Sequence, residues 1–239
     1  MSNREPQHIK AKKGDIAERV LLSGDPERVK QLSSMLKDAV LVNENRGYIT
    51  YTGYYNDRRV SIACHGIGAP SAAIVIEELH MLGSKIMVRL GTAGGLSKEM
   101  KYGDILIANG AFLPQGNIMN QYSKGILPPT VPSYDLLNSL VNAAKSSLTA
   151  VYVGPVYSGD AFYAEDKDYS SKLSSLGYIG AEMEAATLFA LSSIRNFKAG
   201  ALFMVSNNIA LNTPLYDASK LKIYLDNVAS IALNAITGI

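Results

Sequence analysis

The sequence contains little of what disulfide-stabilised, metal-binding or membrane-spanning proteins require. Its 239 residues include one cysteine, Cys64, which excludes a disulfide framework and a cysteine-rich metal site. The three histidines, His8, His65 and His80, are scattered without the spacing of metal ligands. The apolar runs are too short to span a bilayer, and the N-terminus has no apolar signal core. We therefore expect a cytoplasmic protein without a metal ion.

Charge is also sparse and balanced, with 23 basic residues against 21 acidic ones and a net charge of +2. Nothing resembles a basic nucleic-acid arm or a polybasic membrane patch, so neither nucleic acid nor a membrane is expected as a partner. Apolar residues make up 47% of the chain, enough for a sizeable core in a single domain over residues 1–239. An anion would have to bind at a local site.

Short apolar runs alternate with amphipathic segments along the whole chain. We predict strands at residues 18–23, 47–55, 59–65, 85–90, 104–109, 150–157 and 199–206. We predict helices at residues 26–36, 66–83, 134–147, 181–194 and 218–235. This alternation indicates an α/β sheet covered by helices on both faces. Residues 110–132 hold Gly, Pro and Asn without periodicity and are interpreted as a long loop over a site.

Glycine and polar residues gather where the predicted strands end. In α/β sheets, ligands bind at the carboxyl ends of the strands. Here those ends carry Gly24-Asp25, His65-Gly66, Gly91-Thr92, Ser158-Gly159-Asp160 and Ser206-Asn207. The five segments would form one site only if the strands are ordered suitably, which the sequence alone leaves open.

The first glycine turn, from Gly24 to Arg28, joins a predicted strand to a predicted helix. Backbone N–H groups at a helix N-terminus bind anions, and Arg28 adds a charged fork in the first turn. Pro26 suits that turn because its missing N–H costs nothing there. Taken alone, the pattern is more often an ordinary turn with a solvated arginine. It is not a Walker A loop, because it lacks the Gly-Lys-Ser/Thr ending.

The second glycine turn runs from Arg89 to Gly95. Arg89 lies inside an apolar strand, where an arginine needs a partner or a ligand. With the Thr92 hydroxyl it forms a candidate phosphate or carboxylate pocket, and a structural ion pair is an equal alternative. Arg46 is a third candidate cation, although taken alone it is better explained as a surface residue paired with Glu44 or another acid.

Two glutamates, Glu182 and Glu184, flank Met183 at the start of a predicted helix. Glutamates in a first turn are commonly only partners of the helix dipole. The surrounding segment is small and apolar, so the two acids also fit a buried polar role, such as a carboxylate that accepts from two ribose hydroxyls.

Aromatic and histidine side chains add weaker signals. Phe162 and Tyr163 follow a strand end and could stack on a base, although core packing is the commoner use of such residues. His65 at a strand end and His8 in the N-terminal arm are more simply interpreted as structural residues.

Taken in order, these segments resemble the hexameric nucleoside phosphorylases, the family of bacterial-type purine nucleoside phosphorylase, uridine phosphorylase and archaeal methylthioadenosine phosphorylase. The similarity runs from His8 to the C-terminal helix and is greatest to the archaeal methylthioadenosine and purine enzymes. It is carried by His8-Ile9, Gly24-Asp25-Pro26, Asn45-Arg46-Gly47, His65-Gly66-Ile67-Gly68, Arg89-Leu90-Gly91-Thr92, Asp160-Ala161-Phe162-Tyr163 and Glu182-Met183-Glu184. The resemblance implies a mixed central β-sheet flanked by helices, a pentosyltransferase activity, and inorganic phosphate as co-substrate with no cofactor.

The resemblance also implies a role for individual residues. Phosphate would be bound by Gly24, Arg28, Arg89 and Thr92, and by Arg46 of a neighbouring subunit. The nucleoside would be bound by Glu182, Met183, Glu184, Phe162, Ser206 and Asn207, and at its 5′ end by His8 of the adjacent subunit. Sites shared in this way would make a dimer the smallest complete unit, and a homohexamer is expected.

The sequence departs from the family pattern at the group that assists the leaving base. Purine-cleaving members carry an aspartate after the Val-Ser of the late strand, and Asn207 stands there instead. An amide cannot act as a general acid at neutral pH, but it can hydrogen-bond N7 and an exocyclic oxygen. With Arg89, Asn207 is nevertheless the candidate catalytic residue. We therefore expect purine nucleosides as substrates, with inosine or guanosine favoured over adenosine and methylthioadenosine.

Other activities remain open on the sequence. Uridine phosphorylases carry a glutamine and an arginine shortly after the Phe-Tyr pair, where they hold the pyrimidine edge. Residues 164–168, Ala-Glu-Asp-Lys-Asp, contain neither, which argues against a uracil pocket without eliminating one. Methylthioadenosine phosphorylase, a catalytically retired nucleoside-binding protein and a hydrolytic nucleosidase are further alternatives, of which the last would need no phosphate-binding arginines. A Rossmann dehydrogenase is disfavoured because neither glycine turn has the G-x-G-x-x-G fingerprint.

Overall fold

The computed structural model describes residues 5–114, 117–164, 168–216 and 218–239, with side chains throughout except at residues 218–222. The strands in these ranges are β1 (Arg19–Ser23), β2 (Lys37–Asn43), β3 (Thr50–Tyr55), β4 (Arg58–Cys64), β5 (Ile86–Gly95), β6 (Ile105–Phe112), β7 (Val151–Ser158), β8 (Gly180–Glu182) and β9 (Lys198–Asn208). The α-helices are α1 (Pro26–Ser33), α2 (Ala69–Met81), α3 (Met119–Ser123), α4 (Tyr134–Ala144), α5 (Tyr169–Ser175), α6 (Ala185–Arg195) and α7 (Ala218–Thr237).

The strands form one mixed sheet in the order β2-β3-β4-β1-β5-β8-β7-β6-β9, and β9 also pairs with β5. That last pairing closes β5 to β9 into a ring, while β1 to β4 extend from β5 as an open sheet. Strands β1, β4 and β9 run parallel to β5, whereas β8 runs antiparallel to β5 and parallel to β7. The mixed sheet is therefore partly a closed barrel, a feature that strand periodicity alone does not predict.

Helices cover the sheet on both faces, as the alternation of patterns predicted. Buried side chains of α2 and α6, among them Leu79 and Phe189, belong to one apolar cluster. Side chains of α1, α4 and α7, among them Leu32, Leu140 and Val228, belong to a second cluster. Burial of these apolar faces is the main force that holds the layers together. Within the described residues, no helix has the length and apolar character needed to cross a membrane.

The structure corrects several predicted boundaries. Strand β2 was not predicted, because five of its seven residues are exposed and it lacks an alternating apolar face. Helix α2 begins at Ala69 rather than residue 66, since Gly68 has a positive φ of 85°. Residues 180–182 form β8 rather than a helical turn, because they pair with both β5 and β7.

The segment 110–132 is only partly the long loop that the sequence indicated. Strand β6 continues to Phe112, and α3 occupies Met119–Ser123. Pro114 reaches the cavity described below, and residues 115–116 lie outside the described part of the chain.

Candidate active site

A cavity of about 930 Å³ opens where the glycine-rich and polar strand ends meet. All five segments predicted at strand ends contribute to its lining, through Gly24, Gly66, Thr92, Gly159 and Asn207 among others. Because β7 and β8 run opposite to β5, these ends do not lie along one parallel edge. Strand β8 lies between β7 and β5, so the end of β7 pairs with β8, and β8 pairs with Gly94 and Gly95 of β5.

Ten of the twelve site residues predicted from the sequence line this cavity. They are Gly24, Arg28, Arg89, Thr92, Phe162, Glu182, Met183, Glu184, Ser206 and Asn207. The other two, His8 and Arg46, lie outside it on the surface of the same chain. The structure thus brings together the residues assigned to one subunit and separates the two assigned to a neighbour.

The N-terminus of α1 forms a cationic wall of the cavity. Asp25 caps the helix by accepting from the Glu27 amide at 2.9 Å, and Pro26 occupies the first turn. Gly24 is required by close packing, because a Cβ there would lie 2.9 Å from the Gly66 carbonyl oxygen.

Arg28 is a half-buried cation that faces the cavity. Its Nη1 lies 3.4 Å from Ser23 Oγ, and within the described ranges no carboxylate forms an ion pair with it. Burial lowers the pKa of Arg28, and the Arg89 charge lowers it further against the attraction of Asp25. An arginine stays charged even so. Its fork is therefore available to an anion in the cavity.

Arg89 on β5 is held by three acceptors. Its Nε donates to Glu182 Oε2 at 3.1 Å, its Nη2 pairs with Glu184 Oε2, and its Nη1 lies 2.7 Å from His65 Nε2. The structural ion pair left open by the sequence is therefore present. A guanidinium carries five N–H groups, so these contacts leave two for another acceptor.

Close packing on β5 and β9 also fixes the Arg89 guanidinium. It lies over the Phe203 ring, with Cζ 5.5 Å from the ring centroid. A Cβ at Gly91 would lie 2.8 Å from Arg89 Nη2, so glycine at this position leaves space for the guanidinium.

Glu182 serves as an internal anchor. Its carboxylate accepts from the Ser158 hydroxyl, from Arg89, and from the backbone amides of Glu184 and Ala185 at 2.9–3.1 Å. These bonds fix the start of α6 against β7 and β5. Its assignment as a nucleoside ligand stays a prediction.

Glu184 links the arginine to the start of α2. Its Oε1 accepts from the Gly68 amide at 2.5 Å, while Oε2 pairs with Arg89. Burial raises the pKa of Glu184, Arg89 opposes that effect, and the neighbouring Glu182 charge adds to it. Met183 lines the cavity beside it.

Asn207 lies one residue before the end of β9 and lines the cavity. Its Oδ1 accepts from Ser206 Oγ at 3.2 Å, and its Nδ2 has no partner within the described part of the protein. The adjacent Asn208 has a structural role, because its Nδ2 donates to the carbonyls of Ser97 and Met100. Of the two asparagines, Asn207 alone is placed to meet a ligand in this cavity.

The wall after β7 is aromatic. Phe162 is 47% exposed and meets Tyr163 edge to face at 5.1 Å. Tyr157 and Tyr169 also line the cavity. Asp160 lines it too, and burial raises the pKa of its carboxyl group. Residues 165–167, which carry the argument against a pyrimidine pocket, lie outside the described residues.

His8 and Arg46 belong to one surface region. His8 Nδ1 lies 2.7 Å from Glu78 Oε1, and the Asn45 side chain donates to the His8 carbonyl at 2.8 Å. Arg46 follows Asn45 directly, with a positive φ of 56° and an exposed side chain. The N-terminal arm and the turn before β3 are therefore joined.

The sequence did not reveal which groups hold the candidate ligand-binding side chains in place. His65, interpreted as a structural residue, contacts Arg89, while Ser158 and the Gly68 amide hold the two glutamates. Their positions directly after β4, at the end of β7 and before α2 were the available signal. The sequence could not show which residues pair, since the partners are 24 to 116 residues apart along the chain.

Comparison with known proteins identifies the family. The profile of the phosphorylase superfamily matches residues 18–237. A guanosine phosphorylase from Halorubrum lacusprofundi is 36% identical, covering 97% of this chain and 98% of that protein. A DeoD-type purine nucleoside phosphorylase from Latilactobacillus sakei is 38% identical, covering 84% of this chain and 87% of that protein. A uridine phosphorylase structure from Vibrio fischeri, 24% identical, superposes with a TM-score of 0.88 over all of both chains, which shows the fold. These matches confirm the family and enzyme class that the motifs implied, and the chain belongs to the phosphorylase superfamily.

Proposed function

We propose that the protein cleaves purine nucleosides with inorganic phosphate to give free base and ribose 1-phosphate, favouring 6-oxopurine nucleosides such as inosine and guanosine. The observation that carries the proposal is one cavity lined by Arg28, Arg89, Glu184 and Asn207. The relatives named for guanosine and for purine nucleosides support the purine class.

Phosphate binds between the start of α1 and β5. Arg28, which has no carboxylate partner in the described residues, and the remaining N–H groups of Arg89 bind its oxygens as charged forks. Gly24 and the Thr92 hydroxyl complete the phosphate site. The phosphate is thereby fixed below the sugar, and alignment of the attacking oxygen is a large part of catalysis.

Ribose binds at Glu184 and Met183. The Glu184 carboxylate accepts hydrogen bonds from the 2′ and 3′ hydroxyls. Because the same carboxylate pairs with Arg89, the sugar and phosphate subsites share one ionic network. Phosphate and ribose are then held at a fixed distance from each other.

The reaction forms one bond and breaks another at the same carbon. A phosphate oxygen attacks C1′ while the C1′–N9 bond breaks, and the electron pair of that bond moves onto the base. The base then takes up the proton of hydrogen phosphate, directly or through water, so that free base and ribose 1-phosphate are the products. The sugar passes through an oxocarbenium-like state, which the phosphate anion stabilises. Phe162 stacks on the base.

Asn207 sets the preference among bases. Its Nδ2 group donates to O6 or N7 as negative charge develops, but it has no proton to transfer. A 6-oxopurine can hold that charge on O6, whereas adenine needs protonation. Loss of a general acid lowers the rate about 10²–10⁴-fold, and the rate of adenosine cleavage should fall the most.

The active unit is a homo-oligomer in which subunits share sites. His8 and Arg46, which lie together outside the cavity of their own chain, reach the 5′ end and the phosphate in a neighbour. A hexamer is the expected assembly.

A retired binding protein is the second candidate, because Asn207 replaces the expected acid. Uridine and methylthioadenosine phosphorylase are the alternatives within the family. Release of free base from inosine, guanosine, adenosine, methylthioadenosine and uridine, each with and without phosphate, separates them all. Phosphate-dependent release, fastest with inosine or guanosine, is expected. Release of base without phosphate would indicate a hydrolase. Release from uridine alone would indicate a pyrimidine enzyme, and no release from any substrate would indicate a binding protein.

A further inference from the structure

We propose that His65 is a positioning residue of the phosphate site, whose neutral imidazole orients Arg89 without adding negative charge. The proposal rests on the proposed function, since it concerns how the cavity holds phosphate. It assigns a function to a residue that the sequence left as structural.

His65 is rigidly placed directly after β4. Its backbone amide donates to the Ser23 carbonyl at 2.9 Å, which ties it to the end of β1. The residue is 1% exposed, and its Nε2 lies 2.7 Å from Arg89 Nη1. A guanidinium only donates, so Nε2 must accept and the ring proton must be on Nδ1.

That tautomer leaves a polar atom unsatisfied. Nδ1 is buried and has no hydrogen-bond partner within the described part of the chain. The backbone carbonyls of His65 and Gly66 are the acceptors near the ring, but neither forms a well-aligned hydrogen bond with Nδ1. The well-formed side-chain hydrogen bond of the imidazole is therefore the one with Arg89. Violations of this kind are concentrated at functional sites.

The imidazole stays neutral across the working pH range. Burial, reinforced by the adjacent Arg89 charge, holds the pKa of His65 well below its usual range. A protonated ring could not accept from Arg89, so neutrality and the hydrogen bond support each other.

Neutrality matters because the cavity already carries many carboxylates. Glu182 and Glu184 both contact Arg89, and Asp25 and Asp160 also line the cavity. A third carboxylate on Arg89 would fix it equally well but would repel a phosphate dianion. An imidazole acceptor supplies the geometry without that repulsion.

Three variants of His65 separate geometry from charge. His65→Leu removes the acceptor, His65→Gln keeps a neutral acceptor, and His65→Glu keeps an acceptor but adds charge. The readouts are the KM values for phosphate and inosine, the Kd for inorganic phosphate by calorimetry without nucleoside, and the thermal unfolding midpoint.

We expect His65→Leu to raise the KM and Kd for phosphate at least about tenfold, the scale on which a displaced binding group acts. The KM for inosine should rise less than the KM for phosphate, because the Gly68 amide still holds Glu184 when Arg89 shifts. His65→Gln should restore phosphate binding to within about threefold of wild type, and His65→Glu should not.

Two results would overturn the assignment: folded His65→Leu with unchanged phosphate affinity, or His65→Glu binding phosphate as well as His65→Gln. The comparison of His65→Glu with His65→Gln tests the assignment even if His65→Leu does not fold. Wild-type protein that binds phosphate but releases no base would overturn the proposed function alone. Wild-type protein that binds no phosphate would overturn both.

Discussion

At the scale of single residues, the cavity is organised around Arg89. Glu182, Glu184 and His65 each occupy one part of its guanidinium. Arg28, by contrast, has no such carboxylate in the described residues. One arginine is therefore fixed in advance and the other is left for the ligand. Such preorganisation would lower the cost of aligning the proposed phosphate.

Restoring an acid at position 207 should change the preferred base. Asn207→Asp supplies a proton donor where the amide has none, so the ratio of kcat/KM for adenosine to that for inosine should rise about tenfold or more. Steady-state kinetics on both nucleosides measures the ratio. Asn196→Asp, the same change at the exposed end of α6, is the matched control. An unchanged ratio in Asn207→Asp would remove Asn207 from base selection.

At the scale of elements, β5 extends beyond its predicted end. The sequence predicted a strand to residue 90 because glycines usually interrupt strands. The strand continues to Gly95, since β9 and β8 pair with it through the glycine segment. The glycines are tolerated because they leave space for other side chains: Gly91 for Arg89 and Gly94 for Ile209.

A methyl group on β5 should therefore impair the proposed phosphate site. Gly91→Ala would place Cβ 2.8 Å from Arg89 Nη2 and 3.0 Å from Phe203. We expect the KM for phosphate to rise about tenfold or more, because the guanidinium must shift. Gly110→Ala on β6 is the control, since its nearest neighbour would be 3.6 Å away. Equal kinetics for the two variants would contradict this account of Gly91.

The N-terminal arm is attached to α2 by one carboxylate. Glu78 accepts from the amides of Gln7, His8 and Ile9 and from His8 Nδ1. Burial alone would raise the pKa of Glu78, but these hydrogen bonds together lower it below the usual 4.5. The attachment is therefore complete above pH 4.5 and is lost as the pH falls through the lower folded value.

Loss of this carboxylate should release the arm. Glu78→Gln leaves one oxygen acceptor where there were two, so amide hydrogen exchange at residues 7–9 should accelerate. In wild type, correction for the intrinsic exchange rate should reveal the same loss of protection on acidification. Glu77→Gln, at the neighbouring residue that pairs with Arg195 instead, is the control. Unchanged protection in Glu78→Gln would show that other contacts hold the arm.

At the scale of the whole molecule, local patterns predicted more than long-range pairing did. The alternation of strands and helices and the two covered faces followed from periodicity, whereas the sequence left open whether the polar strand ends meet. Closure of the β5–β9 ring did not, because it depends on which distant strands pair. For the same reason the motifs predicted that Arg89 and Glu184 belong to a site, but did not predict that the two side chains pair with each other.

Subunit mixing tests whether His8 and Arg46 act in a neighbour. Arg28→Ala and Arg46→Ala should each lose most activity alone, since each removes a proposed phosphate contact. In a symmetric dimer with shared sites, random mixing of the two variants restores one intact site in each mixed dimer, about a quarter of wild-type activity overall. The mixture is prepared by co-refolding and assayed with inosine and phosphate. Activity no higher than that of the separate variants would place both arginines in the same subunit's site, or Arg46 in none.

In the proposed reaction, phosphate is the group that receives the sugar. Phosphorus-31 NMR of a reaction with inosine and inorganic phosphate follows this transfer, because it observes the product and not only the loss of substrate. We expect a new phosphate monoester signal, ribose 1-phosphate, that grows in step with hypoxanthine. Hypoxanthine released while all phosphorus remains inorganic would contradict the proposed reaction.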